Sequence, residues 1–298
     1  MNYKKFRFNA VIDWIELEIE TVIPTNFQTI KRHGELCYVE AIDPGAGSAA
    51  SQFRFKIHNP KTWQYVDAIL NGINDDTPLL TASTLVKSIE VSVDAYSKSA
   101  SREELLELTA RFYRYLTNPV SQNHRFSGLK NKSIEKISYN QQVKALLDSG
   151  RNICIGNNRD GCKGTYKWKS DDLYMQIYLK TTDNDGKEKL IEEKQRARIE
   201  IRLQGTALPC KTLEEWRNFK FQSLAEYFNF RTVNSRVINK APEWYKKIVE
   251  NVMAQIGAVG KFQQRKHSLI TLPDKELNTA VYESLRCLSL RMLTTCKV

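Results

Sequence analysis

Residues Leu85–Tyr96 read LVKSIEVSVDAY, and their alternation decides how the rest of the chain is read. A strand sends successive side chains to opposite faces, so Ile89, Val91 and Val93 share one face while Ser88, Glu90, Ser92 and Asp94 share the other. The same design recurs twice. In DLYMQIYLK, Asp172–Lys180, the apolar set is Leu173, Met175, Ile177 and Leu179, and the polar set is Tyr174, Gln176, Tyr178 and Lys180. In RARIEIRL, Arg196–Leu203, Ala197, Ile199, Ile201 and Leu203 oppose Arg196, Arg198, Glu200 and Arg202. Three strands of one pattern predict a sheet with helices on its apolar face and phenols, carboxylates and guanidiniums gathered on the other.

Working outward, FRFNAVIDWIELEIE, Phe6–Glu20, alternates from Trp14 onward and predicts a further strand, as do Glu35–Ile42 and Gln52–His58. By parity Asp13 falls with Ile15, Leu17 and Ile19, which predicts a strand-end acid bonded to backbone amides in preference to a metal ligand. Asn59 and Pro60 are placed to open a helix through Trp63, Val66, Ile69 and Leu70, and Ser101 with Glu104 reads as a capping box before Leu105, Leu108, Phe112 and Leu116. A short helix over Asn140–Leu147 and a strand over Arg151–Ile155 follow. Thr212 with Glu215 predicts a second capping box and one helix using Leu213, Trp216, Phe219, Leu224 and Phe228. Two more helices are expected, around Trp244–Ile256 and over Asp274–Leu293. The fold class is therefore α/β (α+β), a mixed or antiparallel sheet with helices on one face, in a domain of residues 1–207, followed by a mainly helical region, 208–298.

The chain has 298 residues, 41% hydrophobic and 27% charged, which excludes disordered and collagenous classes. Its 45 Lys+Arg against 34 Asp+Glu give a formal charge of +11, which favours an anionic partner. Residues 121–170 carry +7 of this. Within them, NNRDGCKGTYKWKS interleaves Arg159, Lys163, Lys167 and Lys169 with Tyr166 and Trp168, a pattern in which cations meet phosphates and rings stack on unpaired bases. A solvated loop with incidental aromatics is the plain alternative.

Six cysteines are scattered without a CxxC pair, and His33, His58, His124 and His267 form no HxH pair, so neither a zinc site nor a two-histidine metal site is expected. No Walker loop, GxGxxG, GxSxG or HExxH is present. MNYKKFRFNAVIDW is basic but lacks the apolar core of a signal peptide, and no run matches a membrane span, so a cytoplasmic protein with no membrane partner is expected.

The shared polar face has the parts for metal-assisted phosphoryl transfer. Glu90 and Asp94 offer hard oxygen ligands for Mg²⁺ or Mn²⁺, a tyrosine is an in-line nucleophile, and Arg or Lys offsets charge on phosphate oxygens. The competing reading is an ordinary polar sheet face open to water, crossed by Glu–Arg pairs.

IDWIELEIE, KSIEVSVDAY, and YMQIYLK followed by RARIEIRLQG together resemble, in order and spacing over about residues 8–206, the strand motifs of the replication-initiation-factor family. That family comprises rolling-circle plasmid initiators, filamentous-phage initiators and relaxases of some integrative elements. The resemblance implies a metal-dependent endonuclease and strand transferase. Tyr178 of IYLK matches the nicking tyrosine, with Tyr174 in reserve; Glu90 and Asp94 match the paired acids, and Arg198 with Glu200 the closing strand. Where the family often has an acid after the tyrosine, this chain has Leu179. IGNNRDG corresponds loosely to a Gly-Ser-Arg turn. With the residue pattern added, the candidate site is Tyr178, Lys180 and Arg198 for chemistry, Glu90, Asp94 and Glu200 for the metal, and the loop Arg159–Lys169 for DNA. The implied partners are origin duplex and single-stranded DNA, with a host helicase and a second copy of the chain as further candidates. A non-enzymatic DNA- or RNA-binding protein, using Tyr174 and Tyr178 as stacking platforms, is the alternative.

Overall fold

The computed structural model describes residues 1–33, 36–44, 49–80, 84–117, 124–126, 140–156, 172–183, 186–247 and 271–294; of residues 36, 37, 124–126 and 140–142 it describes the backbone alone. The fold is α+β: a large antiparallel sheet with helices, and a helical C-terminal segment. The strands in chain order are β1 (Phe6–Asn26), β2 (Leu36–Ala41), β3 (Ala49–His58), β4 (Leu85–Ser97), β5 (His124–Phe126), β6 (Ile153–Gly156), β7 (Leu173–Lys180), β8 (Thr182–Asp183), β9 (Glu188–Lys189), β10 (Arg196–Gln204), β11 (Arg231–Val233) and β12 (Thr271–Pro273). Eight of them form one sheet in the order β2-β3-β1-β4-β10-β7-β6-β5. The helices are α1 (Phe27–Lys31), α2 (Trp63–Asp76), α3 (Arg102–Tyr115), α4 (Asn140–Asp148), α5 (Leu213–Arg217), α6 (Ser235–Asn239) and α7 (Lys275–Leu293).

The chain gathers into two compact units, one of Met1–Ala10, Val93–Ile201 and Gln222–Leu285, the other of Val11–Ser92, Arg202–Phe221 and Arg286–Val298. In the second unit, β1 pairs antiparallel with β3, matching Ile15, Leu17 and Ile19 to Ile57, Phe55 and Phe53. These six apolar residues are all buried. On the other face of the same pair, Glu18 meets Arg54 and Glu16 meets Lys56. Alternation thus builds an apolar and a charged surface from one ribbon. Trp63 and Trp216 both pack against Phe221, with centroids 6.4 and 5.9 Å apart, and anchor α2 and α5.

In the first unit, β6 pairs antiparallel with β7, and α3 lies against both β7 and α4. The helix α3 buries Leu105, Leu108 and Phe112, and Phe112 meets Phe230 with centroids 5.5 Å apart. At α7 the expected stripe Leu277, Val281, Leu285, Leu288 and Met292 is buried throughout. Among the described residues no helix is long and apolar enough to cross a membrane.

Several local expectations change. The N-cap of α2 is Thr62, whose side chain accepts from Tyr65 N–H, not Asn59. Asn59 takes φ 48°, and its N–H donates to the Asp13 carbonyl at 2.7 Å, so the Asn-Pro pair ends a strand connection before the helix begins. At α3, Ser101 accepts from Glu104 N–H, but the Glu104 carboxylate turns to Ser97, Ser99 and Lys5, leaving the reciprocal half of the box unmade. The full box forms at Thr212 and Glu215, yet α5 stops at Arg217 and the chain continues as a 3-10 helix, Phe221–Phe228. The strand β1 runs six residues past Glu20, to Asn26. Of the helix expected over Trp244–Ile256, residues 248–256 lie outside the described residues.

Candidate metal centre and tyrosine face

The expected parity holds on β4, β7 and β10, and their polar faces meet. Arg202 donates to Glu90 Oε2 through Nε at 3.2 Å and Nη2 at 2.7 Å. Arg198 grips Asp94 at both oxygens, Nε to Oδ1 at 2.6 Å and Nη2 to Oδ2 at 2.7 Å. Rising numbers on one strand meet falling numbers on the other, as an antiparallel pair requires. A polar face open to water would leave these groups wet. Instead Asp94 is 1% exposed, Arg198 3%, and Glu90 and Glu200 each 7%. Buried charges persist only when paired or otherwise compensated.

On β7 the two tyrosines diverge. Tyr174 is buried beside Cys154 and accepts from the Gln176 amide, and burial, followed by the neighbouring Cys154, pushes its phenol far above the ordinary value. Tyr178 is partly exposed, and its hydroxyl donates to Glu200 Oε2 at 2.9 Å. The Arg198 guanidinium stands 4.0 Å from that same oxygen. Lys180, also on this face, pairs with Asp183 at 2.9 Å. Burial acts to raise the Asp183 carboxyl, but the Lys180 hydrogen bond and the charges of Lys180 and Arg196 hold it below the usual range.

Asp13 departs from its expected face. Between Ala10 and Ile19 of β1 the buried residues are Ala10, Ile12 and Trp14, then Ile15, Leu17 and Ile19, so the alternation slips by one residue at Trp14 and Ile15. Consequently Asp13 and Trp14, although adjacent, both reach polar-face partners on β4. Asp13 accepts from the Ser92 hydroxyl, and Trp14 Nε1 donates to Glu90 Oε1 at 2.9 Å. The β1–β3 register runs unbroken from Trp14 to Glu20, so the change lies in which side chains are covered and not in that ladder. Lys56 Nζ and the Arg202 guanidinium lie 4.0 and 5.0 Å from the Trp14 ring centre.

In the second unit Asp13 of β1 and Glu90 of β4 each offer a carboxylate oxygen, within 4.8 Å of one another, and in the first unit Glu200 of β10 offers one beside Tyr178. Carboxylate oxygens alone suit a hard divalent ion such as Mg²⁺ or Mn²⁺ and not a soft one. A carboxylate has roughly four lone-pair sites, more than a single hydrogen bond uses. The donor set therefore fits an ion of that class. Of the expected ligands, Glu90 stands beside Asp13 and Glu200 beside Tyr178, whereas Asp94 is engaged by Arg198 and Arg196, the latter 3.2 Å away. For Asp13 the sequence favours a strand-end acid over a ligand, because regular parity turns it the other way; its carboxylate instead stands beside Glu90. The DNA-contact residues Arg159, Lys163, Tyr166, Lys167, Trp168 and Lys169 lie outside the described residues.

No protein-family model matches the chain, and no curated protein does. Among solved structures, the chain is similar to a rolling circle replication initiator protein from Geobacillus stearothermophilus, at 11% identity and a TM-score of 0.31, over 67% of this chain and 76% of that one.

Proposed function

We propose that this protein cuts and rejoins one strand of DNA, with Tyr178 as nucleophile and with Mg²⁺ or Mn²⁺ as cofactor, for which Asp13 and Glu90 in one unit and Glu200 in the other are the candidate carboxylates. The observation that carries this reading is the Tyr178–Glu200 hydrogen bond of 2.9 Å, because it puts a buried carboxylate at the hydroxyl of the expected nucleophile. The motif order of the sequence supports it independently. A divalent ion held there supplies polarisation of the scissile phosphate.

The chain's own residues do the rest. Tyr178 Oη attacks phosphorus in line, the phosphorus–O3′ bond breaks, and the 5′ phosphate stays on the tyrosine. The phenol proton passes to Glu200, and the departing 3′ oxygen takes a proton to become a hydroxyl. A free phenol has a reference pKa of about 10, so removal of its proton needs the hydrogen-bonded acceptor and nearby positive charge. Arg198, fixed by Asp94, supplies a cation at the Glu200 end. Reversal of the step rejoins the strand without ATP. A rolling-circle initiator and a relaxase share this chemistry, and the segment 159–169 is assigned to the single strand on its sequence.

Arg202 on Glu90 favours a second reading, a nucleic-acid-binding module whose buried pairs serve structure alone. The test is a denaturing gel after incubation with labelled single-stranded origin DNA. A denaturation-resistant adduct with Mg²⁺ or Mn²⁺, abolished by EDTA, is expected. Absence of an adduct with every divalent ion, alongside retained DNA binding, moves the assignment to the module.

A further inference from the structure

The basic segment at the start of the chain has no part in the chemistry above, and its charge is left over. Arg7 is exposed, as is Lys98 just after β4, whose N–H donates to the Lys5 carbonyl at 2.9 Å. Lys5 pairs with Glu104 at 2.8 Å. Arg7 and Lys98 have no carboxylate partner among the described residues.

The Arg7 guanidinium instead rests 5.0 Å from the centre of the Tyr96 ring, and that of Arg196 lies 5.8 Å from it. The nearby acids are already engaged. Asp94 is taken by Arg198 and Arg196, and Asp183 by Lys180 at 2.9 Å and Arg196 at 3.5 Å. Three cations thus share the two carboxylates, and Arg7, exposed on the same ring, stands outside that network. A ring beneath a guanidinium fixes its plane and leaves its N–H donors for an anion.

We propose that Arg7, seated on Tyr96 and joined by Lys98, is a phosphate-binding station for single-stranded DNA. The inference rests on the DNA reading above and adds a grip on the backbone away from the carboxylates. Arg196, beside the same ring, is four residues from Glu200 along β10, about 13 Å at the usual strand rise. One extended strand spans that distance, so it can be held at Arg7 while a neighbouring phosphate lies at Tyr178.

The experiment is fluorescence anisotropy of labelled oligothymidylate across a salt series, without divalent metal. Arg7→Gln is expected to weaken binding and flatten the slope of log affinity against log salt by about 0.7, the value of one phosphate contact on a single strand. Arg7→Lys should keep the slope. Tyr96→Leu should weaken binding at unchanged slope, because the charge remains and its seat is lost. Lys31→Gln, an exposed lysine on α1, should change neither quantity. Affinity and slope unaltered in Arg7→Gln, with wild type binding well, overturn the station and leave the nicking reading standing. An equal loss on duplex and single strand overturns the single-strand assignment, and failure of wild type to bind the oligonucleotide overturns the DNA reading itself.

Discussion

The Tyr178 hydroxyl donates to Glu200 Oε2 at 2.9 Å, joining the more open phenol of β7 to a carboxylate on β10 that is otherwise buried. Glu200→Gln keeps an oxygen able to accept this bond but removes the charge that receives the proton. Adduct formation is expected to slow by roughly 10²- to 10⁴-fold, the usual contribution of a positioned base, with the fold retained. Single-turnover rates with circular dichroism check it.

Asp94 and Arg198 form a buried, doubly hydrogen-bonded pair. Removing one partner strands the other charge away from water, so Arg198→Ala should cost about 3–5 kcal/mol of stability, and the Asp94→Ala, Arg198→Ala double variant less than the sum. Urea midpoints of the single and double variants give the coupling. Additive losses would contradict the pairing.

Asp13→Asn tests the metal group away from the tyrosine. It should weaken Mn²⁺ binding by tenfold or more while single-stranded DNA affinity in EDTA stays at the wild-type value. Titration calorimetry with Mn²⁺ reads the first quantity and anisotropy the second. Equal Mn²⁺ affinity in both proteins would remove Asp13 from the ligand set.

Stability should fall above about pH 10. Tyr3 is raised by burial and then by its hydrogen bond to Asp274; Tyr174 is raised by burial and Cys154, and Tyr113 by burial alone. With folded values above the unfolded one, the unfolded chain loses its phenolic protons first, so the stabilisation is complete below about pH 10 and declines as pH climbs from there. Urea midpoints measured from pH 8 upward follow it, and a midpoint flat through pH 11 contradicts the burial of these phenols.

Much of the site was legible because strand parity is a local rule. On β4, β7 and β10 it put Glu90, Tyr178, Glu200 and Arg198 on one face, and the pairing of those strands did the rest. Asp13 was not legible, since a one-residue slip in which side chains of β1 are covered leaves no mark in the alternation of IDWIELEIE. Asp94 shares its parity with Glu90, but parity does not say which carboxylate an arginine will claim. The break between Arg217 and Phe221 was likewise hidden, because Trp216, Phe219 and Phe221 pack tightly at spacings that also suit a continuous helix.

The most direct measurement maps the covalent bond to DNA. Mass spectrometry of the proteolysed adduct, formed with single-stranded origin DNA and Mn²⁺, should place the nucleotide on the peptide containing Tyr178. Tyr178→Phe should bind the DNA normally and form no adduct, while Tyr174→Phe, altering a buried ring, should still form it. An adduct that persists in Tyr178→Phe, or that maps to any other residue, would contradict the assignment of the nucleophile.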